Sequence, residues 1–172
     1  MLSTAVKRLG LTVSAAVAIT GSGVVLAAPA SGETAVVARL YKDFAWQALA
    51  SQTTLFGEDL AHQDKATLEK YFAPGLADLF VKDAACQVKY QGICNLDFDV
   101  LFDSQDPRVS DLEITAVAPG KVAVVFADPA SGEKTRIEFK VTQVAGAWKI
   151  IDVIYRQPKA TSLKQVLSQK IP

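Results

Sequence analysis

The chain has 172 residues, and its 18 Lys plus Arg balance 18 Asp plus Glu to a formal net charge of zero. That balance excludes the basic surface on which non-specific nucleic-acid binding depends. Setting aside an N-terminal leader leaves about 140 residues, the size of one ordinary domain and enough to bury a core without help.

Lys7 and Arg8 open the chain with a short basic segment. Residues 9–26 carry no charge, and Ala27-Ala28-Pro29-Ala30 supplies the small residues of a cleavage site. Residues 1–30 therefore read as a secretory signal peptide cut after Ala30 or Ala27. Gly10, Gly21 and Gly23 weaken the run as a permanent span, and an uncleaved anchor is the alternative. No cysteine stands beside the cleavage site to carry a lipid. The expected location is periplasmic or secreted. Beyond the leader no apolar run is long enough to cross a bilayer.

Residues 31–35 read as a polar tail. Residues 36–53 follow a helical period, with Val36, Val37, Leu40 and Phe44 on one stripe that Trp46 and Leu49 widen. Gly57 marks a break. A second helix starts near Asp64, which can cap it, and places Leu68, Tyr71 and Phe72 on one face. A third, short helix spans residues 74–83 with Pro74 at an early position. Cys86 and Cys94 follow. In an exported protein a close pair reads as a disulfide, and closing so short a ring contributes roughly 2–3 kcal/mol. A metal or redox pair is the alternative, but the spacing is not Cys-x-x-Cys and no further ligand stands nearby. The cysteine loop and the Asp-rich segment after it read as irregular structure.

The period then changes from helical to alternating. Residues 109–117, 121–127, 135–144 and 148–155 read as strands, joined by turns at Pro119-Gly120, at residues 128–133 and at Ala145-Gly146. In the third, Ile137, Phe139 and Val141 face one way and Arg136, Glu138 and Lys140 the other. Thr161 or Ser162 caps a closing helix reaching about residue 170. Helices segregated from strands linked by tight turns predict an α+β domain with an antiparallel sheet over residues 31–172. The charged face of the third strand is unsuited to a large apolar dimer contact, so a monomer is expected.

This order resembles the nuclear transport factor 2-like superfamily, in which helices pack into a strongly bent antiparallel sheet to make a cone. The residues behind the likeness are the closing strand Ala147-Trp148-Lys149-Ile150-Ile151-Asp152-Val153, together with Leu96-Asp97-Phe98-Asp99 and Ser104-Gln105-Asp106. More narrowly, the chain looks like a bacterial envelope family catalogued as domain of unknown function 3828, over about residues 36–168, departing at Val100, where that family has Pro. The resemblance implies a cone enclosing an apolar cavity and supplies no activity.

Candidate site residues start with Asp97, Asp99, Asp103, Asp106 and Asp111. They suit three roles: holding a turn-rich loop through backbone N–H groups, contacting a ligand or partner, or binding a metal or proton. The Gly and closing Glu of an EF-hand are missing. His62, the one histidine, reads as a surface residue between helices, although enzymes of the cone fold often use an Asp–His pair. Tyr41, Phe44, Trp46, Trp148 and Tyr155 are candidates for the pocket wall or for core, and Tyr155-Arg156 for its rim, where Arg suits an anionic group. No serine-nucleophile elbow, phosphate loop or dinucleotide fingerprint is present. No catalytic residue, metal ligand or cofactor is assigned. The sequence points to an exported, non-enzymatic protein that binds a small molecule or an envelope protein. The alternatives are a cone-fold dehydratase or isomerase with an Asp base, and an inhibitor of an envelope hydrolase.

Overall fold

A computed structural model of the protein describes residues 32–49, 56–156 and 159–171. The leader and its cleavage site lie outside the described residues. Helix α1 (Gly32–Phe44) buries Val36, Val37, Leu40, Tyr41 and Phe44, the stripe that the helical period picks out. It starts earlier than the polar tail suggests, because Thr34 is already buried. It also ends earlier: after Phe44 the chain tightens into a 3₁₀ turn at Ala45–Ala48, closed by Leu49 N–H donating to the Trp46 carbonyl at 2.8 Å. A second 3₁₀ turn, Leu60–His62, precedes the single helical turn α2 (Lys65–Leu68), which Asp64 caps by accepting from Thr67 N–H at 2.7 Å.

Helix α3 (Pro74–Tyr90) runs seven residues past the predicted end at Asp83 and carries Cys86. Pro74 sits where its missing N–H costs nothing, and after Gly75 in the first turn no glycine or further proline interrupts the helix until the left-handed Gln91 (φ 51°) ends it. The Cys86–Cys94 disulfide is formed, with Cα atoms 6.2 Å apart. It staples a helix to the loop that follows it, rather than closing a wholly irregular loop.

Four strands follow as a meander: β1 (Ser110–Ala118), β2 (Lys121–Ala127), β3 (Lys134–Val144) and β4 (Ala147–Tyr155). A two-residue β5 (Thr161–Ser162), absent from the sequence reading, pairs with Ile154 and Tyr155, so the sheet is five-stranded, antiparallel throughout and ordered β1-β2-β3-β4-β5. The other end of the same β4 edge is covered by the chain after α2, where Ile150 N–H donates to the Tyr71 carbonyl and Ala73 N–H to the Ile150 carbonyl, both at 2.8 Å. Between Lys140 and Val141 the register with β4 shifts, leaving Ile151 as an extra residue. Such a bulge locally increases twist and bends the strand.

Helix α4 (Leu163–Leu167) closes the chain and is shorter than predicted. The buried Asp152 anchors it by accepting from Ser162 Oγ at 2.9 Å and Lys164 N–H at 3.1 Å. One core gathers α1, α3, α4 and the inner face of the sheet, including Val122, Val124, Phe126, Ile137, Phe139, Ile150 and Val153. Among the described residues no helix is long and apolar enough to cross a membrane.

Candidate functional site

The Asp-rich segment does not border an empty cavity under α1; it fills that space. Val100, Leu101 and Phe102 are 2%, 0% and 2% exposed. The Tyr41 hydroxyl donates to the Leu101 carbonyl at 2.5 Å, and the Tyr155 hydroxyl donates to the Val100 carbonyl at 3.0 Å. Edge-to-face ring contacts join Phe102 to Tyr41 and Phe126, and Phe98 to Tyr155. Burial first, and then the charge of Asp99, raise the Tyr41 pKa well above that of a free phenol; burial also raises that of Tyr155. Both hydroxyls therefore stay protonated as donors. Tyr155 is thus core and not pocket rim, and the expected apolar cavity is occupied by the protein's own loop.

Asp99 organises the turn that makes this plug possible. Its Oδ1 accepts from Leu101 N–H at 2.7 Å and its Oδ2 from Gln47 Nε2 at 2.7 Å. The Asp99 backbone closes the turn, accepting from Asp103 N–H at 2.9 Å and donating to the Ser104 carbonyl at 2.9 Å. Burial raises the Asp99 pKa, against the lowering effect of its hydrogen bonds from Leu101, Gln47 and Phe102. Gln47 in turn accepts from Leu60 N–H at 2.5 Å, so one side chain ties the end of α1 to both loops.

Where these loops meet, an open cleft of about 390 Å³ forms at the edge of the plug. Leu60, Leu96, Phe98 and Val100 contribute apolar lining, and Trp46, stacked on Phe56 at 5.3 Å, supplies an aromatic wall. Asp59, Asp97 and Asp99 line it together with His62, and among the described residues no lysine or arginine does. The Asp59 carboxylate accepts from His62 N–H at 3.1 Å as an N-cap, and lies 2.8 Å from His62 Nδ1. A carboxylate there requires the proton on Nδ1. Partial burial lowers the His62 pKa, but hydrogen bonding and charge from Asp59, helped by Gln87 and Glu58, outweigh it and the net shift is upward.

The structure brings Asp97 and Asp99 together at the cleft and disperses the other candidates. Asp103 is half-buried with φ 54°, its pKa raised by burial. Asp106 and Asp111 are exposed, and Asp111 sits with φ 51° at an irregularity between β1 and β2. Arg156 lies on the solvent side of the sheet, where it meets Glu138 at 2.6 Å and is not at a pocket rim. Tyr41 and Phe44 are core, and Trp148 lies beside Gly32 in a separate depression with Val117. Among the described residues no three His, Cys, Asp or Glu side chains converge as metal ligands.

Three residues that shape the site went unread in the sequence: Asp59, Asp83 and Gln87. Asp59 stands three residues before His62, the spacing of an N-cap, which was its available signal. Asp83 is buried and accepts from Asn95 N–H at 2.8 Å and Gln87 Nε2 at 2.9 Å, setting the return of the chain toward Asp97. No protein-family model, curated protein or solved structure matches the chain.

Proposed function

We propose that the protein is an exported, non-enzymatic binding protein of the nuclear transport factor 2-like type whose cleft receives an organic cation, either a small molecule or a basic side chain of an envelope protein. The observation that carries this reading is the lining of the cleft: three carboxylates, Asp59, Asp97 and Asp99, beside the Trp46 wall, with no lysine or arginine among the described residues. Carboxylates supply charge-assisted acceptors, and an indole face attracts a cation directly. The disulfide fits an oxidising compartment, in line with the leader. The antiparallel meander, its bulge at Ile151 and the closing strand support the cone assignment.

Calorimetric titration with agmatine, and with acetate as the anionic control, tests the reading. Agmatine binds the wild-type chain, acetate does not, and Asp59→Asn/Asp97→Asn weakens agmatine binding about tenfold or more. Equal affinity in the double variant would remove the cleft from the account.

The 2.8 Å Asp59–His62 contact favours one second reading, proton transfer by His62 oriented by Asp59. Asp99 is a poor base there because both of its oxygens already accept hydrogen bonds. His62→Ala separates the two readings: it abolishes turnover in the second, whereas in the first cation binding persists and tightens at acidic pH, where the repelling imidazolium is removed.

A further inference from the structure

Helix α3 carries a second charged surface, separate from the cleft and of opposite sign. Lys82, Ala85, Cys86 and Lys89 stand at i, i+3, i+4 and i+7, so they share one side of the helix. Cys86 is buried and bonded to Cys94, and Ala85 is short, so the helix surface is low between the two lysines. Lys170 comes from the far end of the chain, after α4, and lines the same groove. Two features place it there. Leu163 and Leu167 of α4 are buried in the core. Asn95 Nδ2 donates to the Gln169 carbonyl at 3.3 Å, which ties the residue beside Lys170 to the loop after α3.

The groove holds about 430 Å³, within the range of small-molecule sites. Lys82, Lys89 and Lys170 line it with Tyr90 and Ile171, and among the described residues no carboxylate does. Among the described residues none of the three lysines is in an ion pair with a carboxylate. Lys89 Nζ donates to the Tyr90 hydroxyl at 3.2 Å and lies 4.8 Å from the ring centre, which holds its charge at the groove. Three like charges lining one groove without a counter-charge favour an anion there. The donor set also selects the kind of anion. Among the described residues no arginine lines the groove, so no planar fork is present to meet a carboxylate with two parallel bonds. Ammonium groups act as point charges and suit the spread oxygens of phosphate.

We propose that this groove binds a compound with linked phosphate groups, of the pyrophosphate type, with Lys82, Lys89 and Lys170 each donating to phosphate oxygens. A single phosphate group carries about −1.5 to −2 charges near pH 7, so three ammonium groups match a linked pair better than one. The site is independent of the acidic cleft. On α3 the cleft is lined by Gln87, which does not line the groove.

Calorimetric titration of the full chain with inorganic pyrophosphate, in metal-free buffer of low ionic strength, tests the inference. Pyrophosphate should bind the wild-type chain, and citrate, a multivalent carboxylate, should bind about tenfold or more weakly. Lys82→Gln/Lys89→Gln/Lys170→Gln, altered only at exposed positions, should weaken pyrophosphate binding about tenfold or more while keeping its melting temperature. The control Lys121→Gln/Lys134→Gln/Lys159→Gln removes the same charge from exposed positions elsewhere and should leave the affinity unchanged. Absence of pyrophosphate binding to the wild type would overturn the inference. So would an equal loss in both triple variants, which would make net charge and not the groove responsible. Equal affinity for citrate would overturn the assignment to phosphate.

Discussion

Tyr41 and Tyr155 reach the same loop, one from α1 and one from β4, and each donates to the carbonyl of a buried residue, Leu101 or Val100. Tyr41→Phe and Tyr155→Phe should each cost about 1–3 kcal/mol, the penalty for stranding a buried acceptor. Urea denaturation measures it, and a change near zero would mean that the loop is held by packing alone. Asp99 contributes in the opposite sense to an ordinary acid-labile carboxylate. Its folded pKa is raised above 3.8, so the folded state binds the proton more tightly than the unfolded chain does. Its contribution is therefore full at low pH and lost as pH rises through the folded value. Melting temperatures of wild type and Asp99→Asn, compared across that acidic window, should show the downward slope with rising pH flattened in the variant. The structural role of Asp99 was partly legible, because Asp in a turn-rich loop commonly accepts from nearby N–H groups. Its bond to Gln47, 52 residues away, was not legible, since a one-dimensional pattern carries no such pairing.

At the level of elements, the disulfide and Asp83 do related work. The bridge closes a span of eight residues, and Asp83 accepts the N–H groups of Asn95 and Leu96 just beyond it. Cys86→Ser/Cys94→Ser should lower stability by roughly 2–3 kcal/mol, and a thiol reductant should lower the wild-type melting temperature to match the variant. A reductant without effect would show that Asp83 and the helix hold the loop by themselves. Strands were the most legible elements. Ile137, Phe139 and Val141 alternate with charged neighbours because the sheet has one buried face, and the pattern stops where the turns begin. Helices were less legible at their ends. The helix α3 continues past Asp83 because that residue is a buried carboxylate with partners from another segment, so it reads as a terminus in sequence and is an interior position in the fold. Residue 161–162 pairing was invisible for its length alone.

For the whole molecule, the loop that fills the space beneath α1 changes where a ligand can bind. A cone with an open interior would take an apolar guest between helix and sheet; here Val100, Leu101 and Phe102 occupy that space, and the proposed binding site is the acidic cleft at its edge. The segment Leu96-Asp97-Phe98-Asp99 therefore supplies both plug and cleft: Phe98 packs on Tyr155, while Asp97 and Asp99 line the opening. With one histidine in the chain, the most direct measurement is the NMR titration of His62 with and without saturating agmatine. Without ligand its midpoint lies above 6.5, because Asp59 stabilises the imidazolium. A cation bound among Asp59, Asp97 and Asp99 repels that imidazolium, so the midpoint falls when agmatine is present. A midpoint that stays in place while agmatine binds would put the cation elsewhere on the protein and contradict the account.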